Sequence, residues 1–264
     1  MHMLLLQLAV AAVLASRGAA YPGKAPWRDA KDVFADGEPV PGLPHPQFSY
    51  GFQIPVLVIT PERNVLAFAQ GYVVERSSAG NTTLLGATSS DGNDGWIDLV
   101  ARRGLGSMDD SASTASSAAA VGGKPPWQPG PLQLVFRNSS LATKEYHACQ
   151  QPTPVVDQVT KKILLLSSLD NWHMRLQEST DDGRTFTPSH LARDLDASLR
   201  RPGWGLIFTG LPGGIQLQAP NPRAGRLVLC SSAYWSGGEM DPDGKITKEG
   251  DVLSRYSYSI ISDE

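Results

Sequence analysis

The sequence predicts a mostly β protein, and three observations predict it. Short apolar runs recur along the chain between clusters of Pro, Gly, Asn and Asp, with no long helical period among them. The 264 residues include 26 glycines and 20 prolines, a load that suits frequent turns better than long helices. The stretch Ser179-Thr180-Asp181-Asp182-Gly183-Arg184-Thr185-Phe186 has the form Ser-x-Asp-x-Gly-x-Thr-aromatic, a tight hairpin turn that carries its own fastenings. In it the Asp181 carboxylate can accept bonds from nearby backbone N–H groups. Gly183 supplies a positive φ without steric cost, and Thr185 and Phe186 restart a strand. Short strands at close spacing indicate a sandwich, a barrel or a propeller.

The elements follow in order. Phe52 to Thr60 and Val65 to Gly71 flank a Pro-Glu-Arg-Asn turn and read as a hairpin. A third strand covers Ile97 to Arg103. Residues 107–126, rich in Ser, Ala and Gly, lack the apolar area needed to order themselves and read as a flexible insertion. Strands resume at Leu132–Phe136, Pro152–Asp157, Lys162–Ser167 and Met174–Glu178, the last leading into the Ser179 turn. Gly214–Leu217, Gly225–Cys230 and Arg255–Ile261 complete the series.

The first twenty residues differ from the rest. The apolar run from Met3 to Ala15, followed by Gly18, Ala19 and Ala20, reads as a signal peptide spanning 1–20. The run is short for a membrane span, and no other stretch could cross a bilayer. A secreted or lumenal location is expected, a lysosome-like compartment included. Residues 21–46 form an extended lead-in, and 47–264 form the folded domain. Net charge is −3 and pI is near 6, which gives no sign of a nucleic-acid partner. Asn81-Thr82-Thr83 and Asn138-Ser139-Ser140 are candidate glycosylation acceptors. Cys149 and Cys230 either pair or remain two buried free thiols. Two distant cysteines and five scattered histidines give no metal-ligand spacing, and no cofactor is expected.

Several motifs carry a family resemblance. Ser179–Phe186 matches all five fixed positions of the Asp box, the repeated turn of sialidases and some other β-propellers. Gln53-Ile54-Pro55 stands where exo-α-sialidases have Arg-Ile-Pro, followed by a similar Leu-Ala-Phe-Ala strand. Ile97–Arg103 resembles the strand leading to that family's first Asp box, and Pro152–Asp157 resembles its Asn-Pro-x-Pro-Val-Val-Asp. Thr209–Leu217 resembles Thr-Gly-Pro-Gly-x-Gly-Ile-Gln-Leu, and Tyr256–Asp263 resembles a strand entering a later box. The match covers roughly residues 50–264. Other Asp-box propellers, such as a photosystem assembly factor or a sorting receptor, fit these segments less well. The resemblance implies a six-bladed β-propeller of sialidase type, of which this chain would hold an incomplete part of about four blades at about 40–50 residues each.

The resemblance also implies a chemistry. Three arginines clamp the sialic acid carboxylate. An Asp serves as acid and then base, and a Tyr activated by a Glu attacks the anomeric carbon, an exception among paired-carboxylate glycosidases. Gln53 occupies the first clamp position, Gln70 replaces a usual Glu, and Tyr72 replaces a frequent Arg. The acid/base position falls at Asp94, eight residues before Arg102, with Asp91 as the alternative. The other clamp arginines, the Glu and the Tyr nucleophile are expected beyond residue 264, so the chain reads as an N-terminal part. The expected substrates are sialylated glycoproteins and glycolipids, with weak or no hydrolysis by this chain. The competing expectation is a secreted, non-catalytic propeller that binds glycans or proteins.

Overall fold

Apolar runs around polar turns give antiparallel meanders, and the computed structural model shows them. It describes residues 32–87, 95–105, 128–192, 195, 197, 204–210, 213–236, 239–240, 246–248 and 252–262. The expected leader at 1–20, the expected insertion at 107–126 and both Asp91 and Asp94 lie outside the described residues. Every element with defined bounds is a strand, and only Leu195 and Ala197 carry helical backbone among the described residues. The fold is all-β, as the turn spacing predicts.

The first sheet is built on β2 (Phe48–Ile59), β3 (Val65–Arg76), β5 (Ile97–Leu105) and β7 (Gln133–Phe136), each antiparallel to the next. Short strands extend it to seven: β1 (Glu38–Pro39), β4 (Thr82–Leu84) and β6 (Gln128–Pro129). The second sheet is a plain four-stranded meander of β8 (Cys149–Val156), β9 (Ile163–Leu169), β10 (His173–Ser179) and β11 (His190–Leu191). The third contains β12 (Trp204–Thr209), β13 (Ile215–Gln216), β14 (Leu227–Ser236) and β17 (Val252–Ile261). Beside them stands the small pair β15 (Glu239–Met240) and β16 (Ile246–Lys248). The strand β12 escaped the sequence reading, although Trp204-Gly-Leu-Ile-Phe-Thr is an apolar run.

Successive sheets pack face to face. Val56, Leu66, Phe68 and Ala101 of the first sheet meet Ile163 and Leu165 of the second. Val155 and Leu166 of the second meet Leu227 and Leu229 of the third. Met174, Ile207 and Ala233 close the same seam. Burying each large aliphatic side chain contributes about 1.5–3 kcal/mol, so these two seams dominate the association of the sheets. Val40, just after β1, is buried with Phe48, Tyr50 and Trp96 in the first sheet's outer cluster.

The Ser179 turn has the fastenings its sequence promises. Asp181 accepts from Thr185 N at 2.9 Å, from Thr185 Oγ1 at 2.5 Å and from Ser179 Oγ at 2.8 Å. Gly183 N donates to Ser179 Oγ at 2.9 Å. Gly183 has φ +80°, and a Cβ there would stand 2.6 Å from Leu66 Cδ2, so both backbone and space demand glycine. Phe186 packs edge-on against Phe68 with centroids 5.7 Å apart.

Asp182, the variable position of the motif, was given no role by sequence reasoning. It is buried, and it accepts from Glu62 N at 2.9 Å, Asn64 Nδ2 at 2.8 Å and Arg103 Nη2 at 2.7 Å. The turn of the second sheet is thereby pinned to the β2–β3 turn and to β5 of the first.

Candidate functional site

Two strands, β2 and β8, break their ladders in the same way. In β2 the pairing with β3 slips between Gln53 and Val56, and Ile54 lies at φ +54°. In β8 the pairing with β9 slips between Gln150 and Thr153, and Gln151 lies at φ +56°. In each case the left-handed residue precedes a proline, Pro55 or Pro152. A β-branched residue is a poor occupant of that conformation, and a pre-proline residue is also steered toward extended backbone. Backbone in such sparsely populated regions costs about 1–3 kcal/mol per residue. Bulges of this kind re-aim side chains and cluster near binding sites.

The β8 bulge is tied to the third sheet. Thr209 Oγ1 donates to Gln151 O at 2.5 Å, and Thr153 Oγ1 donates to Gly210 O. Gln151 Nε2 donates to Asn171 Oδ1 at 3.0 Å, and Ile207 N donates to Asn171 O at 2.9 Å. Asn171 sits in the β9–β10 turn, where it and Asp170 have φ near +54°. Those two positions, filled by Asp and Asn, are the ones a tight hairpin needs. His147 and Asp170 pair at 2.8 Å beside this turn. The result is a polar junction of Gln151, Thr153, Asn171 and Thr209, all buried.

The β2 bulge presents Gln53 to solvent. Its register partner is Gln70, the two positions where the family resemblance implies Arg and Glu. Gln70 is buried, and its Oε1 accepts from Tyr72 OH at 2.9 Å while its Nε2 has no hydrogen-bond partner among the described residues. An unsatisfied buried amide group costs about 1–3 kcal/mol. The structure therefore brings Gln53 and Gln70 together on neighbouring strands.

Behind Gln70 stands a buried ionic cluster that sequence reasoning missed. Asp98, fully buried on β5, accepts from Tyr50 OH at 2.5 Å, from Trp96 Nε1 at 2.9 Å and from Arg137 Nη2 at 2.6 Å. Arg137 also donates to Pro41 O at 2.9 Å and stacks over the Trp96 ring at 5.1 Å. Burial pushes the Tyr50 hydroxyl far above its usual pKa, and the Asp98 charge adds to the shift while Arg137 opposes it. Tyr50 thus stays protonated and donates. The cluster fixes Trp96 and Asp98 at the start of β5. An Asp inside the apolar run Ile97–Ala101 was the available signal.

Arg102 and Arg103 have structural duties. Arg102 pairs with Glu38 and donates to Gly130 O at 2.6 Å, and Arg103 holds Asp182. The Asp-box residues Ser179, Asp181, Gly183, Thr185 and Phe186 lie at the other end of the second sheet. Ser179 pairs with Ile163 while Gln150 pairs with Ser168, five residues along β9. That is about 16 Å at strand rise. A cavity of 280 Å³ also opens away from the bulges, lined by Leu57, Ile59, Val156 and Ile215 among others. Both cysteines are free thiols, Cys149 buried and Cys230 exposed, so the second departs from the expectation of two buried thiols. Among the described residues no cluster of His, Cys, Asp and Glu could hold a metal ion, and no helix is long and apolar enough to cross a membrane.

No family model and no curated protein matches the chain. Solved structures are similar to it. The Hadza microbial sialidase Hz136 shares 17% identity at a TM-score of 0.48 over 81% of this chain and 35% of that one. The intramolecular trans-sialidase from Ruminococcus gnavus, in complex with oseltamivir carboxylate, shares 11% at 0.45 over 81% and 60%. The leech intramolecular trans-sialidase, complexed with 2,7-anhydro-Neu5Ac, shares 11% at 0.42 over 81% and 44%. The chain spans about a third to three-fifths of the length of these structures. The functional reading stands on this chain's own residues.

Proposed function

We propose that this chain is a sialidase-type glycan domain whose site is built from the β2 and β8 bulges, with terminal sialic acids of glycoproteins and glycolipids as its ligand class. The observation that carries the reading is the repeated bulge. Gln53-Ile54-Pro55 and Gln150-Gln151-Pro152 keep the same left-handed backbone before proline. Strain repeated in β2 and β8 supports a role in aiming side chains at one ligand.

The amide at Gln53 sets what the site does with that ligand. A carboxylate facing Gln53 receives one or two hydrogen bonds and no counter-charge. Losing a charge-assisted contact costs about 2–5 kcal/mol when its partner is desolvated. Hydrolysis by this chain is therefore weak, with Asp94, or Asp91 in its place, as the acid/base. A second reading, glycan binding without turnover, is favoured by the same neutral pair Gln53 and Gln70.

The test is turnover of a fluorogenic sialoside by the chain, by Gln53→Arg, and by Asp94→Ala and Asp91→Ala. Slow turnover, raised by Gln53→Arg and abolished by one aspartate substitution, supports the enzyme reading and names the acid/base. Binding of sialylated glycans without turnover in any variant selects the second reading. Absence of both binding and turnover overturns the proposal.

A further inference from the structure

The two Asn-x-Ser/Thr triplets have the same sequence form and opposite structural settings. Asn81-Thr82-Thr83 leaves a tight turn at the tip of the β3–β4 hairpin. Gly80 N donates to Ser77 O at 2.9 Å, and Ser77 N donates to Asn81 O at 2.8 Å. Only the backbone of Asn81 is engaged in this turn, its N donating to Ser77 Oγ at 3.2 Å. Asn81, Thr82 and Thr83 are all exposed. The space around the turn is open, since a Cβ placed on Gly80 would meet no atom within 4 Å.

In Asn138-Ser139-Ser140 the asparagine is exposed, but the two serines that follow it are held by the fold. Ser139 is buried, its Oγ donating to His147 O at 3.0 Å and accepting from His147 N at 2.7 Å. Ser140 N donates to Glu145 O at 2.9 Å, and Ser140 Oγ accepts from Thr143 N at 3.4 Å. The preceding residue, Arg137, is locked on Asp98. Among the described residues the Ser140 hydroxyl oxygen takes a long bond from Thr143 N and follows a buried Ser139, whereas the Thr83 hydroxyl is exposed and makes no side-chain bond.

We propose that Asn81 is an N-glycosylation site and that Asn138 is left unmodified. The co-reactant is a polyprenyl-pyrophosphate-linked oligosaccharide. The Asn81 Nδ2–C1 bond forms, the C1–O bond to pyrophosphate breaks, the polyprenyl pyrophosphate leaves, and the carboxamide gives up one proton to a base of the transferase. The glycan has a structural use. Strand β4 is three residues long and pairs only with β3 among the described residues. Its outer edge is the kind of open template that invites pairing with another chain, and a bulky sugar one residue before it blocks that approach. The proposal rests on entry into the secretory pathway, which residues 1–20 are expected to direct.

The full chain is expressed in eukaryotic cells, and secreted protein is treated with a glycan-removing amidase. The expected result is one glycan's mobility shift, lost in Asn81→Gln and Thr83→Ala, retained in Thr83→Ser, and unchanged in Asn138→Gln. Peptide mass then shows Asn81 converted to Asp by the amidase. A shift lost in Asn138→Gln, occupancy of both sites, or a secreted chain with no shift overturns it. A second version carries a strong secretion leader in place of residues 1–20. A glycan at Asn81 only in that version supports the site and overturns the leader, whereas secretion without a glycan overturns the site itself.

Discussion

Asp181 and Asp182 are neighbours with unrelated duties, and the difference is readable from where each carboxylate points. Asp181 serves its own turn. Burial raises its pKa, but the bonds from the Thr185 side chain and backbone, from Ser179 and from the Arg184 backbone outweigh that and bring it to about 2. A carboxyl whose folded pKa lies below its unfolded value of about 3.9 stabilises the fold at higher pH. The contribution is fully present above about pH 4 and is lost as pH falls toward 2. Asp181→Ala is expected to cost about 1–2 kcal/mol at neutral pH, as loss of a hydrogen-bonded carboxylate does. Urea denaturation of both proteins at pH 7 and pH 2.5 checks it, and the gap between them should shrink at the lower pH. Asp182, where burial is likewise outweighed by bonds from Thr60, Glu62, Arg103 and Asn64, also has a lowered pKa, so its contribution too is present at neutral pH and falls away in acid. Tyr50→Phe removes one donor from Asp98 but leaves Arg137 and Trp96. An expected loss of about 1–3 kcal/mol follows from the charged acceptor, measured by the same denaturation curves.

At the scale of elements, the links between sheets matter more than the strands. Removing one partner of a buried ion pair costs about 3–5 kcal/mol, because the other charge stays buried and unpaired. Asp182→Ala should approach that range, and so should Arg103→Ala. The double variant should cost clearly less than the sum, which a double-mutant cycle measures. Most of the long strands were legible, because apolar runs and Gly/Pro punctuation act locally. The hairpins at 52–71 and 152–167 emerge where those signals place them. The bulges were not legible: nothing in Gln-Ile-Pro announces a positive φ, and both the β-branch and the proline argue against it. The Asp98 cluster was half legible. An Asp in an apolar strand is visible, but its partners Tyr50 and Arg137 lie 48 and 39 residues away. Asp182 stood at a variable motif position, where local pattern carries no information about a partner more than a hundred residues upstream.

Among the described residues three antiparallel sheets are joined by two apolar seams and a few polar rivets, and the β8 bulge of the proposed site lies at the end of the second sheet opposite the Ser179 turn. That separation decides which substitutions test function and which test folding: Gln53 and Gln70 belong to the first kind, Ser179 to Phe186 to the second. Because Asp182 takes the Glu62 N–H from one sheet while Asp181 takes the Thr185 N–H of another, two amides far apart in sequence are closed by adjacent residues of one turn. Their deuterium uptake should be coupled. In native-state exchange with increasing denaturant, Glu62 and Thr185 are expected to open in one step with a common free energy. In Asp182→Ala the Glu62 amide should exchange early while Thr185 keeps its protection. Independent opening of the two in the unmodified chain would show that the first two sheets unfold as separate cooperative units.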